Sequence, residues 1–140
     1  MSIAERWQRF RELPPDIEAA LERLIPLFEN EGVLLAYLFG SLSRGEAGQD
    51  VDLAVLTYDT PAFRLREAIA DCLATERLDL VDLRRASPVL RFEILRTGRP
   101  IYAADEETQA QFELATLHLY RDTHPLRRRQ SEILRRRMAR

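Results

Sequence analysis

The chain has 140 residues, 46% hydrophobic and 31% charged, a composition that fits one compact domain and excludes a disordered chain. Its longest apolar run, Val33–Phe39, is only strand-sized, which excludes a membrane-spanning helix. The charged opening, with Glu5, Arg6, Arg9 and Arg11, has no apolar core of a secretory leader, so the expected location is the cytoplasm.

The net charge of −2 conceals an asymmetry, because residues 124 to 140 carry +6 and leave −8 on the remainder. One cysteine, Cys72, and two histidines spaced six apart, His118 and His124, offer neither a disulfide nor a thiolate or imidazole cluster. Any metal site therefore has to be built from carboxylates.

Pro14, Pro15 and Asp16 open a segment whose apolar positions Ile17, Ala20, Leu21, Leu24, Leu27 and Phe28 predict a helix that Gly32 ends. Val33–Phe39 is apolar on both alternating faces and runs into Gly40-Ser41, which predicts a buried, central strand. After a polar loop with Gly45 and Gly48, residues 50 to 56 predict a second strand forming a hairpin-like pair with the first. A helix over residues 62 to 74, with Phe63, Leu65, Ile69, Cys72 and Leu73, precedes a third strand over residues 78 to 83. Ser87, Pro88 and Gly98 punctuate a short helix. A short edge strand at residues 99 to 102 and a longer helix over residues 106 to 120, with Phe112, Ala115 and Leu119 on one side, come next. Pro125 ends that helix, and an Arg-rich helix closes the chain. One domain is expected over residues 1 to 140, with a motif core at 15 to 103 and a helical extension from 105 that is Arg-rich from 124.

Alternate side chains of a strand share a face, so Asp50 and Asp52 project together about 7 Å apart while Val51, Leu53 and Val55 face the other way. Two such carboxylates repel, and a cation between them relieves the repulsion; an all-oxygen ligand set suits magnesium or manganese. An isolated D-x-D is usually a solvated strand end. Here it follows a buried strand, Gly40-Ser41 and a short loop, and a glycine at that place lets backbone amides approach a phosphate while the serine hydroxyl donates to it.

The run Leu38-Phe39-Gly40-Ser41-Leu42-Ser43-Arg44-Gly45-Glu46-Ala47, followed by Asp50-Val51-Asp52-Leu53-Ala54-Val55-Leu56, resembles the signature of the DNA polymerase beta nucleotidyltransferase superfamily, in its minimal nucleotidyltransferase branch. The resemblance covers roughly residues 15 to 103. It implies an α+β (two-layer α/β) fold, a small mixed sheet flanked by helices with further helices at the C-terminus. It also implies transfer of AMP from ATP with two magnesium ions, manganese being an alternative. The catalytic and metal-binding residues would be Asp50, Asp52 and a carboxylate of the third strand, and Gly40, Ser41 and Arg44 would bind the nucleotide. The third strand offers Asp79 and Asp82, and alternation alone does not choose between them; the family's pattern favours Asp79.

Many minimal nucleotidyltransferases are antitoxins that silence a HEPN-domain ribonuclease by adenylylating a tyrosine on it, so a HEPN toxin is the partner this resemblance implies. The loop from Leu42 to Gln49 is shorter than the family's usual spacing, which motivates an alternative, an antitoxin acting by binding alone. Two further readings are a small-molecule transferase of the aminoglycoside type, for which the stretch after Tyr102 leaves little room, and a nucleic-acid module working through the Arg-rich tail. Leu126, Ile133 and Leu134 are the apolar residues with which that tail would pack on the body. An oligomer is compatible with all of these.

Overall fold

The computed structural model describes residues 10–45 and 50–138. The opening residues 1–9, residues 46–49 of the polar loop and residues 139–140 lie outside the described residues. In chain order the elements are α1 (Ile17–Glu22), α2 (Leu24–Asn30), β1 (Val33–Phe39), a 3-10 turn (Ser41–Arg44), β2 (Val51–Thr57), α3 (Ala62–Leu73), β3 (Leu78–Asp82), α4 (Pro88–Thr97), β4 (Arg99–Ala103), α5 (Glu106–Asp122) and α6 (His124–Met138).

The sheet runs in the order β3-β2-β1-β4. β1 pairs antiparallel with β2 and with β4, while β2 and β3 are parallel and joined by the crossover helix α3. The expected central strand is therefore central, and the expected pair of strands is an antiparallel one. Helices lie on both faces. Ala36, Leu38, Val51, Leu53, Val55 and Leu78 pack against α1, α2 and α3 through Leu21, Leu24, Phe28, Leu65, Ile69 and Leu73. On the other face Leu35, Tyr37, Ala54 and Leu83 meet Ile94 of α4 and Phe112 of α5. Burying such side chains is worth about 1.5–3 kcal/mol each, the main force holding helices to the sheet.

Three local features depart from the periodicity. The first predicted helix is two helices, split at Arg23, because Pro26 has no N–H to donate to the carbonyl of Glu22 and its ring crowds that carbonyl. On α3 the buried stripe is Ala62, Leu65, Ile69 and Leu73, and Phe63, one step round the helix, is 73% exposed. On α5 Phe112 turns inward as expected, but Thr116 is the buried neighbour, and Ala115 and Leu119 face solvent. Cys72 is a half-buried free thiol packed against the core. Among the described residues no helix is long and apolar enough to cross a membrane.

A candidate active site of three carboxylates

At the end of β1 the chain leaves the sheet through Gly40, whose φ of 73° and ψ of −158° belong to a region that L residues avoid. A Cβ at this position would collide with the carboxylate of Asp52. The glycine thus satisfies a backbone conformation and a close approach at once. Residues Ser41–Arg44 then wind a single 3-10 turn, closed by the Gly45 N–H donating to the Leu42 carbonyl at 3.1 Å. The Ser43 hydroxyl donates to the Gly40 carbonyl at 2.8 Å and lies 3.5 Å from the Thr97 carbonyl at the end of α4. The loop is therefore tied to its own start and to the neighbouring helix.

The register of the sheet assembles the acids. Phe39 stands opposite Asp52 on β2, and Asp52 stands beside Asp79 on β3. Asp50 precedes β2 by one residue and shares the face of Asp52. One carboxylate oxygen from each of Asp50, Asp52 and Asp79 lies within 4.8 Å of the others, and all three residues are half-buried. Three acids this close suit a cation, because like charges at such distances repel and a shared positive charge relieves the repulsion.

Of the two acids on β3, Asp79 joins the cluster. Asp82 lies on the opposite face of the sheet with Leu78 and Leu80. There it accepts the Arg84 N–H at 3.0 Å, lies 4.0 Å from the Arg85 guanidinium, and lines a surface hollow with Phe63 and Arg66. Ser41 is half-buried at the first position of the turn and Arg44 is exposed at its last. Ser43 is the contributor that motif reading overlooks. Its only sequence signal is a hydroxyl three residues after a glycine, the spacing at which a side chain can close a turn on a backbone carbonyl.

The face that carries the triad also holds a buried polar link. The Tyr37 hydroxyl donates to Glu113 Oε1 of α5 at 3.1 Å, and Gln109 Nε2 donates to the same oxygen at 3.1 Å. Burial first, then the charge of Glu113 and this hydrogen bond, push the Tyr37 phenol well above its ordinary value.

The model of the polymerase beta nucleotidyltransferase family matches residues 22–107. The protein adenylyltransferase MntA of Shewanella oneidensis is 35% identical over 92 residues, which cover 61% of this chain and 65% of that relative, a little under two thirds of its length. Among solved structures, a toxin–antitoxin with AMP-PNP superposes with a TM-score of 0.65 at 31% identity, over 81% of this chain and 94% of the other. A tri-AMPylated Shewanella oneidensis HEPN toxin in complex with MNT antitoxin gives a TM-score of 0.63 at 30% identity, over 83% and 94%.

Proposed function

Since the chain belongs to the polymerase beta nucleotidyltransferase family, we propose that it is a protein adenylyltransferase that moves AMP from ATP onto a tyrosine hydroxyl of a cognate HEPN-domain toxin and so acts as its antitoxin. The observation that carries this reading is the convergence of Asp50, Asp52 and Asp79 within 4.8 Å, beside a glycine that leaves Asp52 its space. Residues 15–103 are read as the catalytic core of a single domain, and the supply of ATP and a toxin partner place the reaction in the cytoplasm.

The donor set fits hard divalent cations, because it is made only of carboxylate oxygens from adjacent strands. Asp50, Asp52 and Asp79 would hold two magnesium ions, with manganese as a substitute, and such ions supply charge neutralisation and make a hydroxyl a better nucleophile. On this reading Asp79 serves the acceptor side and receives the hydroxyl proton. The acceptor oxygen forms a bond to the α-phosphorus as the bond from that phosphorus to the bridging oxygen breaks, and pyrophosphate leaves. The Ser41 hydroxyl and the backbone amides after Gly40 orient the departing phosphates, and Arg44 offsets their charge.

In the test, purified chain, α-labelled ATP, magnesium and the co-expressed HEPN partner are incubated together. Labelling of the partner is expected, and the double variant Asp50→Ala, Asp52→Ala is expected to abolish it; undiminished labelling by that variant rejects the site. The shortened loop between Ser41 and Asp50 favours a second reading, neutralisation by binding alone. On that reading the double variant still protects cells from the toxin, and loss of protection counts against it.

A further inference from the structure

α4 and α5 both run toward the Gly40 end of β1. α4 ends at Thr97, beside the Ser43 hydroxyl, and the following Gly98 packs on Leu38 and Phe39. α5 starts at the other end of the sheet, where the Ala104 N–H donates to the Leu34 carbonyl at 2.9 Å. It then passes Tyr37 at Glu113 and stacks Tyr120 on Phe92 of α4 with ring centroids 3.8 Å apart. These helices cover the same face that bears Asp52 and Asp79, and α5 runs along it from the Leu34 end toward the acidic end, where α6 follows.

The corner between α5 and α6 is built rather than loose. The Arg127 guanidinium lies 3.9 Å from the Tyr120 ring, donates to its hydroxyl at 2.9 Å and carbonyl at 3.2 Å, and donates through Nε to the Thr123 hydroxyl at 2.9 Å. His124, Arg127, Arg128 and Ser131 recur at helical spacing and line one shallow concavity of about 350 Å³. Among the described residues the side chains of His124 and Arg128 make no hydrogen bond or ion pair. Apart from Arg127, the described side chains of α6 are exposed, including Leu126, Ile133 and Leu134 at 57%, 43% and 58%. A 15-residue helix with six arginines, one glutamate and little packing is marginal alone; an anionic counter-surface removes the repulsion that weakens it.

We propose that the stripe of His124, Arg127, Arg128 and Ser131 is the acceptor-docking element, binding a carboxylate-rich segment of the acceptor polypeptide and so selecting which tyrosine reaches the triad. The proposal rests on the protein-adenylylation reading above. Arginine pairs bidentately with carboxylates. Leu134, three residues beyond Ser131 and seven beyond Arg127, is exposed on the same side of the helix as the basic stripe and meets an apolar side chain on a polypeptide, whereas a phosphodiester backbone offers it nothing to bury.

The test uses the full chain and three short fluorescein-labelled peptides with one tyrosine each, flanked by glutamates, glutamines or lysines. By anisotropy the glutamate peptide is expected to bind about tenfold more tightly than the glutamine peptide. Arg128→Glu, at an exposed and unpaired position, is expected to erase that preference and favour the lysine peptide, while Arg128→Lys keeps it. In turnover, Arg128→Glu raises KM for the glutamate peptide and leaves kcat unchanged. Asp52→Asn binds the peptide like wild type. Equal binding of the three peptides, or displacement of the glutamate peptide by an RNA oligonucleotide of matched charge that binds more tightly, overturns the proposal. Flank-selective binding with no transfer of AMP to any hydroxyl leaves docking standing and sinks adenylylation; transfer with a flank-independent KM does the reverse.

Discussion

A methyl group at position 40 would occupy the space held by the Asp52 carboxylate, in a backbone conformation that itself costs an L residue about 1–3 kcal/mol. Gly40→Ala is accordingly expected to lower the urea midpoint modestly and to cut the rate of AMP transfer by about two orders of magnitude, the usual cost of misplacing a reacting group by an ångström. The two acids of β3 make a sharper pair of variants. Asp79→Asn is expected to remove transfer, and Asp82→Asn, on the other face, to leave it within a factor of about two, both read as initial rates of labelling. Gly40, Asp50 and Asp52 are legible in the sequence because they lie close together in one motif. Asp79 is not separable from Asp82 by alternation, since counting assigns residues to faces but does not say which face meets Asp52; the parallel register of β2 and β3 decides that. Tyr37 carries a pH signature. Its folded pKa lies above the ordinary 10.0, so the folded state retains a proton that the unfolded chain releases. Its contribution is fully present below about pH 10 and is lost as pH rises toward the folded value. Tyr37→Phe is expected to cost about 1–2 kcal/mol at neutral pH and to flatten the alkaline fall in stability, measured as urea midpoints across that range.

At the scale of elements, α3 ends on Ala74 in the left-handed conformation, with φ 57° and ψ 32°, the one non-glycine residue of positive φ among those described. Its N–H caps the helix by donating to the Asp71 carbonyl at 3.3 Å. Glycine takes this conformation without a Cβ penalty, at an entropic cost smaller than the strain removed. Ala74→Gly is thus expected to stabilise the protein by about 0.5–1 kcal/mol, seen as a higher denaturation midpoint with an unchanged m value. Strands and helix ends with strong punctuation, such as Val33–Phe39 or the Ser87-Pro88 start of α4, can be read from pattern alone. The split between α1 and α2 is written in Pro26 but is hidden by an apolar period that continues across it. The exposure of Phe63 and Leu119 depends on where neighbouring helices lie, which no single segment encodes.

On the whole molecule, charge is distributed as two bodies, an acidic sheet-and-helix core and a basic terminal helix that reaches the core chiefly through the end of α5. Deleting residues 124–140 is expected to change unfolding free energy by no more than about 1 kcal/mol, since the lost contacts centre on Arg127 and Tyr120, and to leave the cooperativity of thermal melting intact. The orientation of that helix escapes sequence reading because it turns on a stack of Phe92, Tyr120 and Arg127 drawn from three elements. The parallel pairing of β2 with β3 also sets an order of events during folding. β1 and β2 can zip together from neighbouring sequence, bringing Asp50 and Asp52 to one face early, whereas Asp79 arrives only after α3 has crossed over and its loop-closure entropy has been overcome. A chain that has paired β1 with β2 but not yet β3 therefore presents two acids rather than three, and on the adenylylation reading it gains its chemistry only when the sheet is complete.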